Sequence, residues 1–356
     1  MKFEFSGKRI SGILGVVPQF EVSFDDDAKN YSFSQSQSKK LKELMGFDRR
    51  RVVDNSTCVS DLAVFGLNNL IRSGKICSED IGALLLVTQS PDHFMPPTSN
   101  IVAGQIELPH DALCIDINQG CAGYIVGLMQ AFMLLDYIPG KKVVLINADV
   151  LSRRVSPYDR NSHPLIGDGA AISVIEECID QSTIVGELLM DGENGDALRI
   201  PAGGFRLPSS SATSEMVKDN MGNIRSLDHL HMQGDKVFTF VMSEVPRLIQ
   251  NVLARSGLRS SDITHFLMHQ PNSFMLNRLA GLLEIPEEKI PSGLVGRFGN
   301  SSGASIPLLI ATSLHNEFLH KKQKVCMAGF GSGLAWGALV MDLGRLDFVE
   351  WVDYAN

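Results

Sequence analysis

Apolar positions along the chain fall into two alternating patterns. Amphipathic helical spacing ends at "IRSGKICSEDI" (Ile71 to Ile81) and at "ARSGLRSSDI" (Ala254 to Ile263). Each is followed by a short continuous apolar run, "GALLLVTQ" or "THFLMHQ", of the kind that forms a buried strand. "CIDIN" reads as a strand, "AGYIVGLMQAFMLLDY" as a buried helix, and "VVLINAD" (Val143 to Asp149) as a further strand. At an offset of 182 or 183 residues the succession recurs. "INQGCAGYI" overlies "GNSSGASIP", which places Asn118 over Asn300, and "VVLINAD" overlies "VCMAGFG" (Val325 to Gly331). Three blocks in one register predict a duplicated α/β unit, with halves at residues 1–175 and 176–356, neither of them independent.

Two polar stretches interrupt this alternation. Ser23 to Lys40 and Arg206 to Ser226 are rich in Ser, Asp and Asn and read as surface loops or a mobile lid.

Composition narrows the function classes. The 356 residues are 44% hydrophobic and 20% charged, ordinary values for a globular chain. A net charge of -8 excludes a general nucleic-acid binder, whose whole-domain signature is a basic excess. The six cysteines form no CxxC pair and no zinc-type Cys/His spacing, so neither a disulfide scaffold nor a structural metal is expected. "MKFEFSGKR" lacks the apolar core of a secretory signal, and the longest apolar run, Ile125 to Leu135, is short and interrupted by Gln130. These features predict a cytoplasmic protein without a membrane segment.

Candidate chemistry starts with Cys121 in "DINQGCAGYIVGL", where a nucleophile competes with an ordinary buried packing cysteine. A strand before it and a helix after it place the thiol at a strand-to-helix turn. There the helix field is expected to lower the thiol pKa, and Gly120 and Gly123 to leave room for a substrate. Cys114, Cys178 and Cys326 lie in apolar strand contexts and read as core. His269 ends the strand "HFLMH" before a Pro/Asn turn, on the edge where α/β folds place ligands; a hydrogen-bonded core histidine is the equal alternative. Asn300 lies in a Gly/Ser turn before a helix, where a capping role competes with a functional one, and the repeat sets it opposite the Cys121 loop. "GFGSGLAWG" (Gly329 to Gly337) reads as a tight strand-to-strand turn whose N–H groups suit an oxyanion, and it lacks the dinucleotide fingerprint. His163, His229, His231 and His265 receive no role.

Together "DINQGCAGY", "DVLSRR", "IGDGAA", "MQGDKVF", "HQPN", "GNSSGAS" and "GFGSGLAWG" resemble the β-ketoacyl-acyl-carrier-protein synthase III-like enzymes of the thiolase superfamily, which start fatty-acid chains. The resemblance implies a duplicated thiolase-like fold, layered α-β-α-β-α with two mixed sheets. It carries the family's Cys-His-Asn triad onto Cys121, His269 and Asn300, and its backbone oxyanion hole onto Cys121 and Ser332, the latter where the family commonly has glycine. It sets Met95 and Phe330 at the acyl pocket, Met95 reaching across a homodimer interface. No tightly bound cofactor is implied; coenzyme A or phosphopantetheine thioesters are the expected substrates, and acyl carrier protein or acyl-CoA the expected partners.

The chain departs from the family at the coenzyme A grip, whose tryptophan and arginine fall near Lys40 and Leu44. It departs again at a carrier-recruiting arginine, which falls on Phe274 with Arg278 one helical turn on. The leading expectation is decarboxylative Claisen condensation of an acyl-Cys121 with a malonyl thioester. Transfer of the acyl group to a hydroxyl or amine, and a non-catalytic partner subunit of a synthase complex, are the alternatives.

Overall fold

The repeat found in the sequence is the skeleton of the fold. In the computed structural model, which describes residues 1–355, two mixed sheets carry the same strand pattern. From edge to edge the first runs Phe348–Tyr354, Lys8–Pro18, Gly169–Glu177, Lys142–Asp149, Ile81–Val87 and Leu113–Ile117. The second runs Lys2–Phe5, Ile184–Met190, Ala335–Gly344, Lys322–Gly331 and His265–Met268. In both, a parallel pair is followed by two antiparallel neighbours. Ala83 lies opposite Val143 and His265 opposite Val325, and these two pairs are themselves 182 residues apart. The terminal strands cross over: Lys2–Phe5 pairs in the second sheet and Phe348–Tyr354 in the first.

Helices fill three layers around these sheets, as the residue patterns require. Val59–Arg72 buries Val59, Leu62, Ala63, Gly66, Leu67 and Leu70, one stripe at 3.6-residue spacing, on the outer face of the first sheet. Gly234–Arg255 covers the outer face of the second sheet with Val237, Val241, Val245, Leu248, Ile249 and Val252. Gly123–Leu135 and Ser305–Ser313 are apolar nearly all round because they lie between the sheets, where no face meets water. The order is therefore helix, sheet, helix, sheet, helix, the duplicated thiolase-like architecture.

One polar stretch is not the loop expected of it. Within Ser23 to Lys40, Ser23 caps Phe24–Asp27 by accepting the Asp25 N–H at 3.2 Å. Ser34 heads Gln35–Met45 in a reciprocal capping box with Gln37. Phe24 and Tyr31 are buried with Phe47, Leu165, Ile166 and Val295. Capping residues and turn residues have the same composition, so Ser and Asp here read as loop until the buried aromatics find their partners. Arg206 to Ser226 is largely exposed as expected, with a two-residue ladder of Val217–Lys218 and Ile224–Arg225. Among the described residues no helix is long and apolar enough to cross a membrane, and no group of His, Cys, Asp and Glu could hold a metal ion.

Candidate active site

Cys121 lies between the strand Leu113–Ile117 and the helix Gly123–Leu135, the strand-to-helix turn expected. The strand anchors the neighbouring loop: the Asp116 carboxylate accepts the Thr98 and Ser99 N–H groups, each at 2.7 Å. The Gly123 N–H closes the turn onto the Gly120 carbonyl at 2.7 Å. Gly120 and Gly123 do not provide the substrate access expected of them. A Cβ at Gly123 would strike Val87, and one at Gly120 the Gln89 amide, so both serve close packing. Space beside the sulfur comes from the other half of the chain. A Cβ at Gly331 would lie 2.8 Å from Cys121 Sγ, so only glycine lets that strand run past the thiol.

The thiol pKa moves opposite to expectation. Burial pushes it up to about 11, and the nearby Asp149 carboxylate adds to the rise; the Ser302 hydroxyl and the N–H groups of Ser332 and Cys121 pull it back in part. A helix terminus stabilises an anion by about 0.3–1 kcal/mol, up to about 2 in buried geometries, and desolvation outweighs it. With its pKa so raised, Cys121 rests as a thiol at neutral pH.

Asp149 is itself held in place and perturbed. It accepts the Gln89 N–H at 2.8 Å, the Ser90 hydroxyl at 2.9 Å and the Thr88 hydroxyl at 3.1 Å, yet burial still pushes its pKa up to about 6. Asp149→Asn removes a charge that opposes the thiolate, so alkylation of Cys121 by iodoacetamide should accelerate about threefold to tenfold at pH 8, for one neighbouring charge. Below about pH 5 the wild-type carboxyl is protonated and the two rates should converge. A pH series of alkylation rates measures both limits.

His269 follows the strand His265–Met268, and its backbone N–H donates to the Ala328 carbonyl at 2.8 Å. Its Nδ1 lies 2.8 Å from the Ser305 hydroxyl, and its ring meets Phe330 edge-on at 5.6 Å. Burial drives the imidazole pKa down to about 3, an effect the Ser302 carbonyl only partly opposes. The ring is neutral at physiological pH, with one N–H to donate and one nitrogen to accept.

Asn300 does not cap the helix Ser305–Ser313, the competing role read from sequence. Its Oδ1 accepts the Ser302 N–H at 2.9 Å, closing an Asx turn, which leaves Nδ2 as the free donor. Its backbone bridges to Leu165 at 2.7 Å and Gly167 at 3.1 Å. Behind that bridge Arg50 donates to the Ile166 carbonyl at 3.2 Å, to Asp27 at 3.0 Å and to His163 Nε2 at 2.9 Å. Arginine can only donate, so the His163 proton sits on Nδ1, 3.0 Å from the Tyr31 oxygen. His163, given no role from sequence, braces the segment that carries Asn300.

Ser332 opens the turn between Lys322–Gly331 and Ala335–Gly344; its N–H faces the Cys121 sulfur and its hydroxyl donates to the Leu198 carbonyl at 3.2 Å. Phe330 is buried against His269. Met95 is 79% exposed, a surface residue within this chain. Leu44 and Lys40 are exposed, and Phe274 stacks on Phe238 at 5.7 Å beneath the Arg278 guanidinium at 5.4 Å. Sequence reasoning missed Asp149, Ser302 and Ser305. The available signal was polar residues placed inside otherwise apolar or Gly-rich motifs, "VVLINAD" and "GNSSGAS".

Comparison with known proteins identifies the family. The family models for 3-oxoacyl-[acyl-carrier-protein] synthase III and for its C-terminal region match residues 115–192 and 253–343. A Campylobacter jejuni chain described as a 3-oxoacyl-[acyl-carrier-protein] synthase 3 is 32% identical over 97% of this chain and 97% of its own length. A β-ketoacyl-[acyl-carrier-protein] synthase III of Microcystis aeruginosa is 31% identical over 85% of this chain and 89% of its own. The crystal structure of a 3-oxoacyl-(acyl-carrier protein) synthase from Burkholderia xenovorans superposes with a TM-score of 0.92, at 30% identity and 99% coverage of both chains. With matched folds, full-length coverage and these identities, the chain belongs to the 3-oxoacyl-[acyl-carrier-protein] synthase III family of acyltransferases, within the thiolase superfamily.

Proposed function

We propose that Cys121 attacks an acyl thioester, holds the acyl group covalently, and is relieved of it by a carbanion formed when a malonyl thioester loses carbon dioxide. In the first step the sulfur bonds to the acyl carbon, the carrier thiol leaves, and the Cys121 proton passes to the leaving thiolate. In the second, decarboxylation places charge on the malonyl thioester oxygen. His269 and Asn300 Nδ2 donate to that oxygen. The carbanion then attacks the acyl-Cys121 carbonyl, whose oxyanion is received by the N–H groups of Cys121 and Ser332; its collapse breaks the C–S bond, releases the 3-oxoacyl thioester, and leaves a Cys121 thiolate that takes a proton from solvent.

The observation that carries this reading is the pair of N–H groups at Cys121 Sγ, one from each half of the chain, beside a neutral His269 and an Asn300 with its amide donor free. In this reading residues 1–175 supply the nucleophile and 176–356 the two donors. Carrier protein or coenzyme A delivers the thioesters, and the protein is a cytoplasmic homodimer without a tightly bound cofactor. Exposed Phe94 and Met95, with the Phe94 ring 5.3 Å from that of exposed Phe205, support a protein-covered surface from which Met95 reaches a partner's acyl pocket.

Intact-mass measurement over a panel of acyl-CoA and acyl-carrier thioesters, followed by malonyl carrier and detection of carbon dioxide, tests it. An adduct on Cys121 followed by carbon dioxide release is the expected result. No adduct with any donor overturns the reading, and an adduct without later decarboxylation converts it to simple acyl transfer.

A further inference from the structure

Ser305 begins the buried helix of the second half, and the residue is 1% exposed. A hydroxyl there must spend its hydrogen bonds on protein groups. Its oxygen lies 2.8 Å from His269 Nδ1 and 3.4 Å from the Gln270 N–H, both buried. Gln270 is clamped in turn, since its Nε2 donates to the Met268 carbonyl at 3.0 Å and the Pro291 carbonyl at 3.1 Å. Its backbone N–H is therefore a fixed donor, and the Ser305 oxygen is its acceptor. One hydroxyl that already accepts has its own proton left to give.

We infer that Ser305 is a positioning residue for His269, its hydroxyl donating to Nδ1 and thereby holding the ring proton on Nε2. The consequence rests on the function proposed above: a histidine that stabilises a developing enolate oxygen must present an N–H, and Nε2 is the nitrogen left to do so. The reverse arrangement puts the proton on Nδ1 and gives it to the Ser305 oxygen; the Ser302 carbonyl also faces the ring and accepts a ring N–H. The two arrangements differ in tautomer, which is measurable without any substrate.

The test is 15N NMR of the full chain labelled at histidine, at pH 7, with Ser305→Ala as the variant and His269→Asn to assign the resonance. Wild type should show the Nε2-H tautomer, and Ser305→Ala a mixture of both. In the same variant, turnover of a malonyl thioester should fall about 2- to 10-fold in kcat with KM nearly unchanged, following the share of rings that lose the Nε2 proton and smaller than the ~10²-fold or more of losing the donor outright. Acylation of Cys121 should stay within about twofold. An Nδ1-H tautomer in wild type overturns the inference even if Ser305→Ala cannot be prepared folded. So does a Ser305→Ala protein that keeps pure Nε2-H. If the tautomer shifts as expected while wild type decarboxylates no malonyl thioester, the positioning role stands and the proposed function fails.

Discussion

Asn300→Ala keeps acylation of Cys121 and loses condensation, by about 10²–10³-fold, the usual cost of removing one donor from a developing oxyanion. The separation is expected because, in the proposed mechanism, the Asn300 amide serves only the malonyl oxygen, whereas acylation uses the Cys121 and Ser332 N–H groups. Alanine also deletes the acceptor of the Ser302 N–H, which could move Ser302 away from the thiol. Asn300→Asp controls for that, since it retains an oxygen for the Ser302 N–H and removes the donor. Both variants should show the acyl adduct by intact mass and little carbon dioxide from malonyl carrier. Equal loss of both steps would count against the role given to Asn300.

Cys121→Ala is the mirror image. No acyl adduct forms with any thioester, and condensation falls by about 10⁴-fold or more, as when a covalent nucleophile is removed. Slow decarboxylation of the malonyl thioester survives, because His269 and Asn300 are untouched and the carbanion is quenched by a proton in place of an acyl carbon. The Ser332 N–H loses the sulfur it faces, while the Ser302 hydroxyl keeps Asp149, so the thermal midpoint should fall only slightly below that of wild type. Carbon dioxide release measured beside product formation separates the two steps. Loss of decarboxylation together with condensation would mean that the donors do not act independently of the sulfur.

Much of the fold was legible because strand and helix periods are local. The apolar runs Gly82–Val87 and Val143–Asp149, and their counterparts 182 residues on, mark parallel pairs whose observed registers, Ala83 with Val143 and His265 with Val325, obey the same offset. Terminal pairing was not legible. Lys2–Phe5 and Phe348–Tyr354 are ordinary strands, and which sheet completes its hydrogen bonds is decided by where the chain ends arrive in space. Ser23 to Lys40 reads as loop in sequence because a helix cap and a turn draw on the same polar residues, and only the packing of Phe24 and Tyr31 distinguishes them.

The same division holds at the site. By itself the chain determined that Cys121 stands at a strand-to-helix turn, that Asn300 occupies the equivalent turn of the second half, and that His269 ends a strand. These are consequences of periodicity and repetition, properties of neighbours in sequence. Only the tertiary structure decided the electrostatics. Burial beside Asp149 makes Cys121 a thiol where the helix field alone would have made it more acidic, and burial keeps His269 neutral. It also decided which glycines matter: Gly331, far along the chain, makes the space at the sulfur that Gly120 and Gly123 do not. Desolvation and close approach depend on which distant residues exclude water and fill volume, and those distances exist only once both halves have packed.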